Sequence, residues 1–233
     1  MTTRRTYDPP TLSSLAQLRA GRLGRRVPQL VVGLLLYGWS MAMMVQAGLG
    51  LDPWDVLHEG LTRHVPLSFG QVVIVVGALV LLLWIPLRQW PGLGTLLNVV
   101  LIGLAADWGI AVLPTPDHVG VAATMLVAGV VLNGLAGALY IGTHLGPGPR
   151  DGLWLGIVRL TGCSVRMART SVEITVVVIG FALGGTVGAG TVLYALAIGP
   201  LVQLFLPWVQ VRLDLPCSAG PVPARDLAEP GRD

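Results

Sequence analysis

Lysine is absent from the 233-residue chain, so all 15 basic residues are arginine. A GC-rich coding bias explains this as well as any physical demand, and no function is read from it. Charge of either sign is scarce at 12% of residues, too little to clothe a soluble domain of this size. Cysteine occurs twice, at Cys163 and Cys217, both in segments assigned below to the cytoplasm, so no disulfide is expected. Also missing are a phosphate-binding loop, a Gly-x-Ser-x-Gly and a His-Glu-x-x-His. Asp55, His58 and Glu59 bring acid, imidazole and acid close together, but no second cluster completes a metal site. Neither enzymatic activity, nor a metal, nor a cofactor is expected.

What the chain has instead is apolar residues, 53% of the total, in blocks of about twenty, the length at which a helix crosses the hydrocarbon of a bilayer. Six spans are predicted, at residues 28–47, 67–87, 92–112, 120–142, 166–187 and 188–208. The net charge of +3 would suggest nucleic acid in a soluble protein. Here the arginines flank apolar spans, where orientation and anionic lipid account for them, and nucleic acid is not an expected partner.

The chain contains one stretch twice. Residues 30–108 align without a gap on residues 126–204 at an offset of 96, and 23 of the 79 pairs are identical. Many are Gly or Pro, which act through backbone geometry, so a duplicated structural unit explains them better than shared apolar composition does. Each half carries three spans. An odd number makes the second half enter the membrane from the opposite side, which predicts an all-α membrane protein of two inverted three-helix repeats. The duplication also argues against a cleaved secretory signal at the N-terminus, because the first span has a counterpart deep in the chain.

Arginines orient the spans, since cytoplasmic loops retain them. Six lie before the first span, Arg88 follows the second, Arg150 and Arg159 follow the fourth, and three follow the last. The predicted organisation is a cytoplasmic Arg-rich tail over 1–27, a first membrane repeat over 28–112 and an extracytoplasmic loop over 113–119. A second repeat over 120–208 and a disordered cytoplasmic tail over 209–233 complete it. Both termini are expected in the cytoplasm of a bacterial cell. Trp84, Trp90, Trp154 and Trp208 are expected at the inner interface, Trp54 and Trp108 at the outer one.

Between the first two spans of each half lies a segment too short to cross. It contains Gly-x-Asp-Pro-x-Asp at residues 50–55 and Gly-Pro-Arg-Asp-Gly at residues 148–152. Pro53 and Pro149 suit a first helical position, with Asp55 and Asp151 where a carboxylate meets free amide hydrogens. Each segment reads as a short helix, either flat at the interface or re-entrant with its positive N-terminus facing a site. With these paired motifs, the chain resembles the YczE/YitT/YyaS group of bacterial integral membrane proteins over all but its tails. The resemblance implies an inner-membrane protein of unassigned molecular function, often regarded as a transporter, and it carries no catalytic residues.

Ionisable groups inside spans are costly, so each is a functional candidate. Arg169 and Glu173 lie on one face of the fifth span, and Gly77 occupies the position equivalent to Glu173, so the duplication does not require the charge. They read either as a self-neutralising pair or as a site where Glu173 binds a cation, a proton or a basic substrate. Asp107 in the third span and Gln203 in the sixth put polar groups on close-packing faces, and Asn98 and Tyr194 are further equivalent polar positions of those spans. The candidate set for substrate or coupling-ion binding is Glu173, Arg169, Asp107, Gln203, Asn98, Asp55, Asp151 and Arg150. Two functions are carried forward. One is a small-molecule transporter, or membrane substrate-binding protein, with its site between the repeats. The other is a non-transporting scaffold or regulator that works through helix contacts with a partner complex. Its partners are the bilayer and an unidentified small molecule, with a homo-oligomer or a membrane partner left open.

Overall fold

The structure is a computed structural model in which Gln17, residues 20–211 and Leu213 are described. Most of the N-terminal tail and nearly all of the 209–233 tail, Cys217 included, lie outside the described residues. We number the helices α1 (Leu23–Ala47), α2 (Pro53–Thr62), α3 (Phe69–Trp84), α4 (Leu93–Val112), α5 (Val119–Ile141), α6 (Pro149–Thr161), α7 (Val165–Ala182) and α8 (Ala189–Val209). Among the described residues there is no strand.

Local chemistry sets where the helices begin and end. Asp52 accepts the Asp55 amide at 2.7 Å and starts α2, while Ser68 and Gln71 bond reciprocally to start α3. Ser164, the counterpart of Ser68, accepts the Met167 amide and starts α7. Gly48 at φ 64° ends α1, and Gly162 at φ 69° ends α6. Four helices, α1, α4, α5 and α8, are long and apolar enough to cross a membrane at 20–25 residues each. The other two predicted spans are a 16-residue apolar helix, α3, and an 18-residue helix, α7, which carries Arg166, Arg169 and Glu173. The outward surface is apolar, with Val192, Leu196 and Leu204 of α8 at least 60% exposed, as contact with hydrocarbon requires.

Helix α1 lies at the centre, packed along α4 and α5, and α5 packs in turn on α8. Its buried Leu30, Leu34, Met41 and Met44 form the main core with Ile102, Leu126 and Val130. The short helices reach across between halves: α2 packs mainly on α7, while α6 packs about equally on α3 and on α7. The Gly94 amide of α4 donates to Leu145 O, and the Gly190 amide of α8 to Leu49 O, both at 2.8 Å. Adding 96 to one residue of the first bond and subtracting it from the other yields the second bond. One departure from this correspondence stands out. Helix α3 packs along α4, whereas α7 makes no comparable packing with α8, which leaves a gap in the second half.

Two expectations are corrected. Trp54 and Trp84, expected at the membrane interfaces, are 5% and 1% exposed, because their rings fill the space between the short helices and their neighbours. The Trp84 indole donates to Pro149 O at 3.0 Å. Trp90, Trp108 and Trp208, by contrast, are exposed. Arg26, expected at lipid headgroups, is wholly buried and donates to the carbonyls of Gln17, Gly21, Thr143 and His144. Nearby burial and the Arg26 charge hold the His144 imidazole below its usual range, so this loop histidine is neutral at pH 7.

Candidate functional site

The two short helices point their N-termini into a cavity of about 310 Å³ that reaches Tyr37, midway along α1. Pro53 and Pro149 fix the first turn of each short helix, and both residues line the cavity. Their capping carboxylates occupy the positive helix ends: Asp52 takes the Asp55 amide, and Asp151 takes the Gly148 amide at 3.3 Å.

Arg150, at the start of α6, bridges to the other half. Its guanidinium lies 3.2 Å from Asp52 Oδ2 and 3.7 Å from Asp55 Oδ1, both carboxylates being fully buried. The same guanidinium stacks 5.3 Å from the Trp54 ring centroid. Trp54 and Arg150 are equivalent positions of the two halves, so each half contributes one member of this contact. Behind it, His58 Nδ1 lies 3.0 Å from Asp55 Oδ1, while Asp55 Oδ2 and the Trp54 indole nitrogen are buried without a partner among the described residues.

A second cluster lies across the cavity. Arg169 Nε donates to Glu173 at 2.8 Å and stacks 5.3 Å from the Trp154 ring. The two side chains are 46% and 29% exposed, and they face the gap beside α8, from which Gln203 also lines the cavity. Tyr140 donates its hydroxyl to Asp151 at 2.6 Å. Tyr194 donates to Asn133 Oδ1 at 3.0 Å, Asn133 donates to Ser40 Oγ at 2.8 Å, and the Tyr37 hydroxyl lies 3.5 Å from that of Tyr194.

Of the eight candidate residues, Glu173, Arg169, Gln203, Asn98, Asp151 and Arg150 line this cavity, and Asp55 is held against Arg150. Asp107 stands apart. It accepts the Ser68 hydroxyl and the Gly70 amide, the latter at 2.6 Å, and so tethers the start of α3 to α4. Asp107→Ala is expected to lower stability by about 1.5–3 kcal/mol, the worth of hydrogen bonds to a charged group. Ligand binding in the cavity should be unchanged, and thermal unfolding beside a binding titration separates the two effects.

Sequence reasoning missed Tyr37, Tyr140, Asn133 and Asp52 as members of the site. One usable signal was present: the equivalent positions 37 and 133 are Tyr and Asn, and 98 and 194 are Asn and Tyr. A polar residue retained at both copies of an apolar-span position points to a shared lining. Tyr140 gave no such signal, since its counterpart is Met44.

Apolar helices long enough to cross a bilayer, around an internal polar site, define a helical membrane protein. The family described as Family of unknown function (DUF6198) matches residues 24–207, and the chain belongs to that family. It is 40% identical over 177 residues to an uncharacterized protein of Haemophilus influenzae, covering 76% of this chain and 81% of that one. It is 34% identical over 177 residues to the uncharacterized membrane protein YczE of Bacillus subtilis, covering 75% and 82% of the two chains. With the uncharacterized protein YyaS of the same organism the identity is 28% over 183 residues, covering 77% and 91%. No solved structure matches the chain.

Proposed function

We propose that this protein is a small-molecule transporter of the bacterial inner membrane, built from two inverted three-span repeats, with its substrate site in the cavity between them. The observation that carries the reading is the convergence of two half-helix N-termini, one from each repeat, on a cavity at mid-span depth of α1 that holds charged and polar side chains in a largely apolar wall. That arrangement recurs at substrate sites of transporters with inverted repeats. The inverted relation is supported by the exchanged bonds Gly94–Leu145 and Gly190–Leu49, since a two-fold axis generates contacts in such reciprocal pairs. Both short helices are re-entrant in this reading. The protein has no catalytic role.

Transport requires the cavity to open to one side at a time. The asymmetry between the packed α3–α4 pair and the separated α7–α8 pair fits one such state, with the second half open. On the first half's loop, Glu59 of α2 holds the α7–α8 turn by accepting the Thr186 amide at 2.6 Å and its hydroxyl at 3.1 Å. Thr95 of α4 donates to Pro147 O at 2.7 Å in the corresponding loop of the second half. Both fastenings are made in this structure, and one or the other releases in the proposed cycle.

The test needs no substrate. In a Cys163→Ser, Cys217→Ser background, Asn98→Cys in the cavity should react with a membrane-impermeant thiol reagent applied from either side of oriented vesicles. Reaction from one side only, under all conditions, fits the non-transporting scaffold and rejects the transporter. The same background checks orientation. Asp117→Cys and Val187→Cys should label from outside the cell and Gln89→Cys should not, an orientation that the arginine density supports. The reverse pattern refutes that orientation.

A further inference from the structure

Four carboxylates and two guanidiniums are gathered at this cavity. Asp52, Asp151 and Glu173 line it with Arg150 and Arg169, and Asp55 is held against Arg150 at 3.7 Å. The four carboxyls outnumber the two guanidiniums by two. Buried negative charge without a counter-ion is costly, so such a site gains by taking up positive charge, as protons or as a bound cation.

An anionic substrate is poorly received there. The helix N-termini that usually take anionic groups are already occupied by the protein's own Asp52 and Asp151. Arg150 is committed to Asp52 and Asp55, and Arg169 to Glu173.

The remaining wall mixes aromatic rings with aliphatic side chains such as Val73, Val99, Ile102 and Val202. Of the chain's four tyrosines, Tyr37, Tyr140 and Tyr194 line the cavity, together with Trp54 and Trp154. Both tryptophans already carry a guanidinium 5.3 Å from the ring centroid, so cations are accommodated over aromatic faces in this space. The indole N–H of Trp54, a lining residue only 5% exposed, is buried and has no acceptor among the described residues. A ligand oxygen would supply one.

We propose that the cavity takes a small organic ammonium ion bearing an oxygen acceptor, of the amino-alcohol class; this rests on reading the cavity as a substrate site. A volume of about 310 Å³ lies at the lower end of ligand pockets, roughly 300–1,000 Å³, and suits a substrate of that size.

The test is calorimetric titration of the full chain in lipid nanodiscs with choline and ethanolamine. Two probes match choline in shape: the uncharged alcohol with carbon in place of the quaternary nitrogen, and tert-butylacetate, a carboxylate of similar bulk. At least one ammonium probe should bind, about tenfold or more tighter than either control. Glu173→Gln and Asp151→Asn should each weaken that binding by about tenfold or more, as loss of a charge-assisted contact requires. Because Asp151 also caps α6, Glu173→Gln, whose site is partly exposed, is the decisive variant if Asp151→Asn fails to fold.

Binding of neither ammonium probe, or equal binding of the carboxylate or the neutral alcohol, overturns the inference. So does full affinity in Glu173→Gln. Ammonium binding without uptake into proteoliposomes leaves the inference standing and removes the transporter reading. Uptake of an anion does the opposite.

Discussion

Replacing Arg150 by Met is expected to destabilise the protein more than any other single charge removal at the cavity. It strands Asp52 and Asp55, both wholly buried, without their shared counter-ion. Removing one partner of a buried ion pair costs about 3–5 kcal/mol, and because the Arg150 side chain is 24% exposed the expected loss is nearer 3. The measurement is the unfolding midpoint in a mild detergent. Neutralising the stranded carboxylates in the triple variant Arg150→Met, Asp52→Asn, Asp55→Asn should recover most of the loss, because no unpaired charge then remains. An unchanged midpoint in the single variant, or a triple variant worse than the single, would show that the cluster is not held by this charge balance.

The second large effect lies where the halves are fastened. A Cβ at Gly190 would run into the Gly50 carbonyl oxygen, with Gly50 C at 3.0 Å and Leu126 Cδ1 at 2.9 Å. The atom met is backbone rather than the far end of a flexible side chain, so the chain itself must shift to relieve the clash. At the equivalent Gly94 the nearest atoms are Leu145 O at 3.0 Å and Leu145 C at 3.2 Å. Gly190→Ala should therefore cost about 3 kcal/mol and Gly94→Ala about 1, the two ends of the overpacking range. Comparing the unfolding midpoints of the two variants checks this. Equal losses would mean that the crossings relax alike and that the closer approach at Gly190 has no energetic consequence.

Much of the local structure was legible in the sequence. Pro53 and Pro149 occupy the first turn of the short helices, with Asp55 and Asp151 at the third position, as their spacing implied. The predicted first, third, fourth and sixth spans agree closely with α1, α4, α5 and α8. Six of the eight candidate residues were brought to one cavity because an ionisable or amide side chain in an apolar helix has few places to go. Asp107 obeyed the same pressure by satisfying the end of a neighbouring helix instead.

The sequence by itself determined where helices start and stop, that the chain is duplicated, and that it belongs in a bilayer. These depend on runs of apolar residues and on capping chemistry within a few positions of each helix end, so they are local properties. Only the tertiary structure decided that Arg150 meets Asp52 and Asp55, that Tyr37 stands beside Tyr194, and that Trp54 and Trp84 turn inward. In water an apolar stripe tells which face of a helix is buried. In a membrane both lipid and protein interior are apolar, so the rotation of each span, and hence which polar groups face one another, is set by close packing between helices from distant parts of the chain.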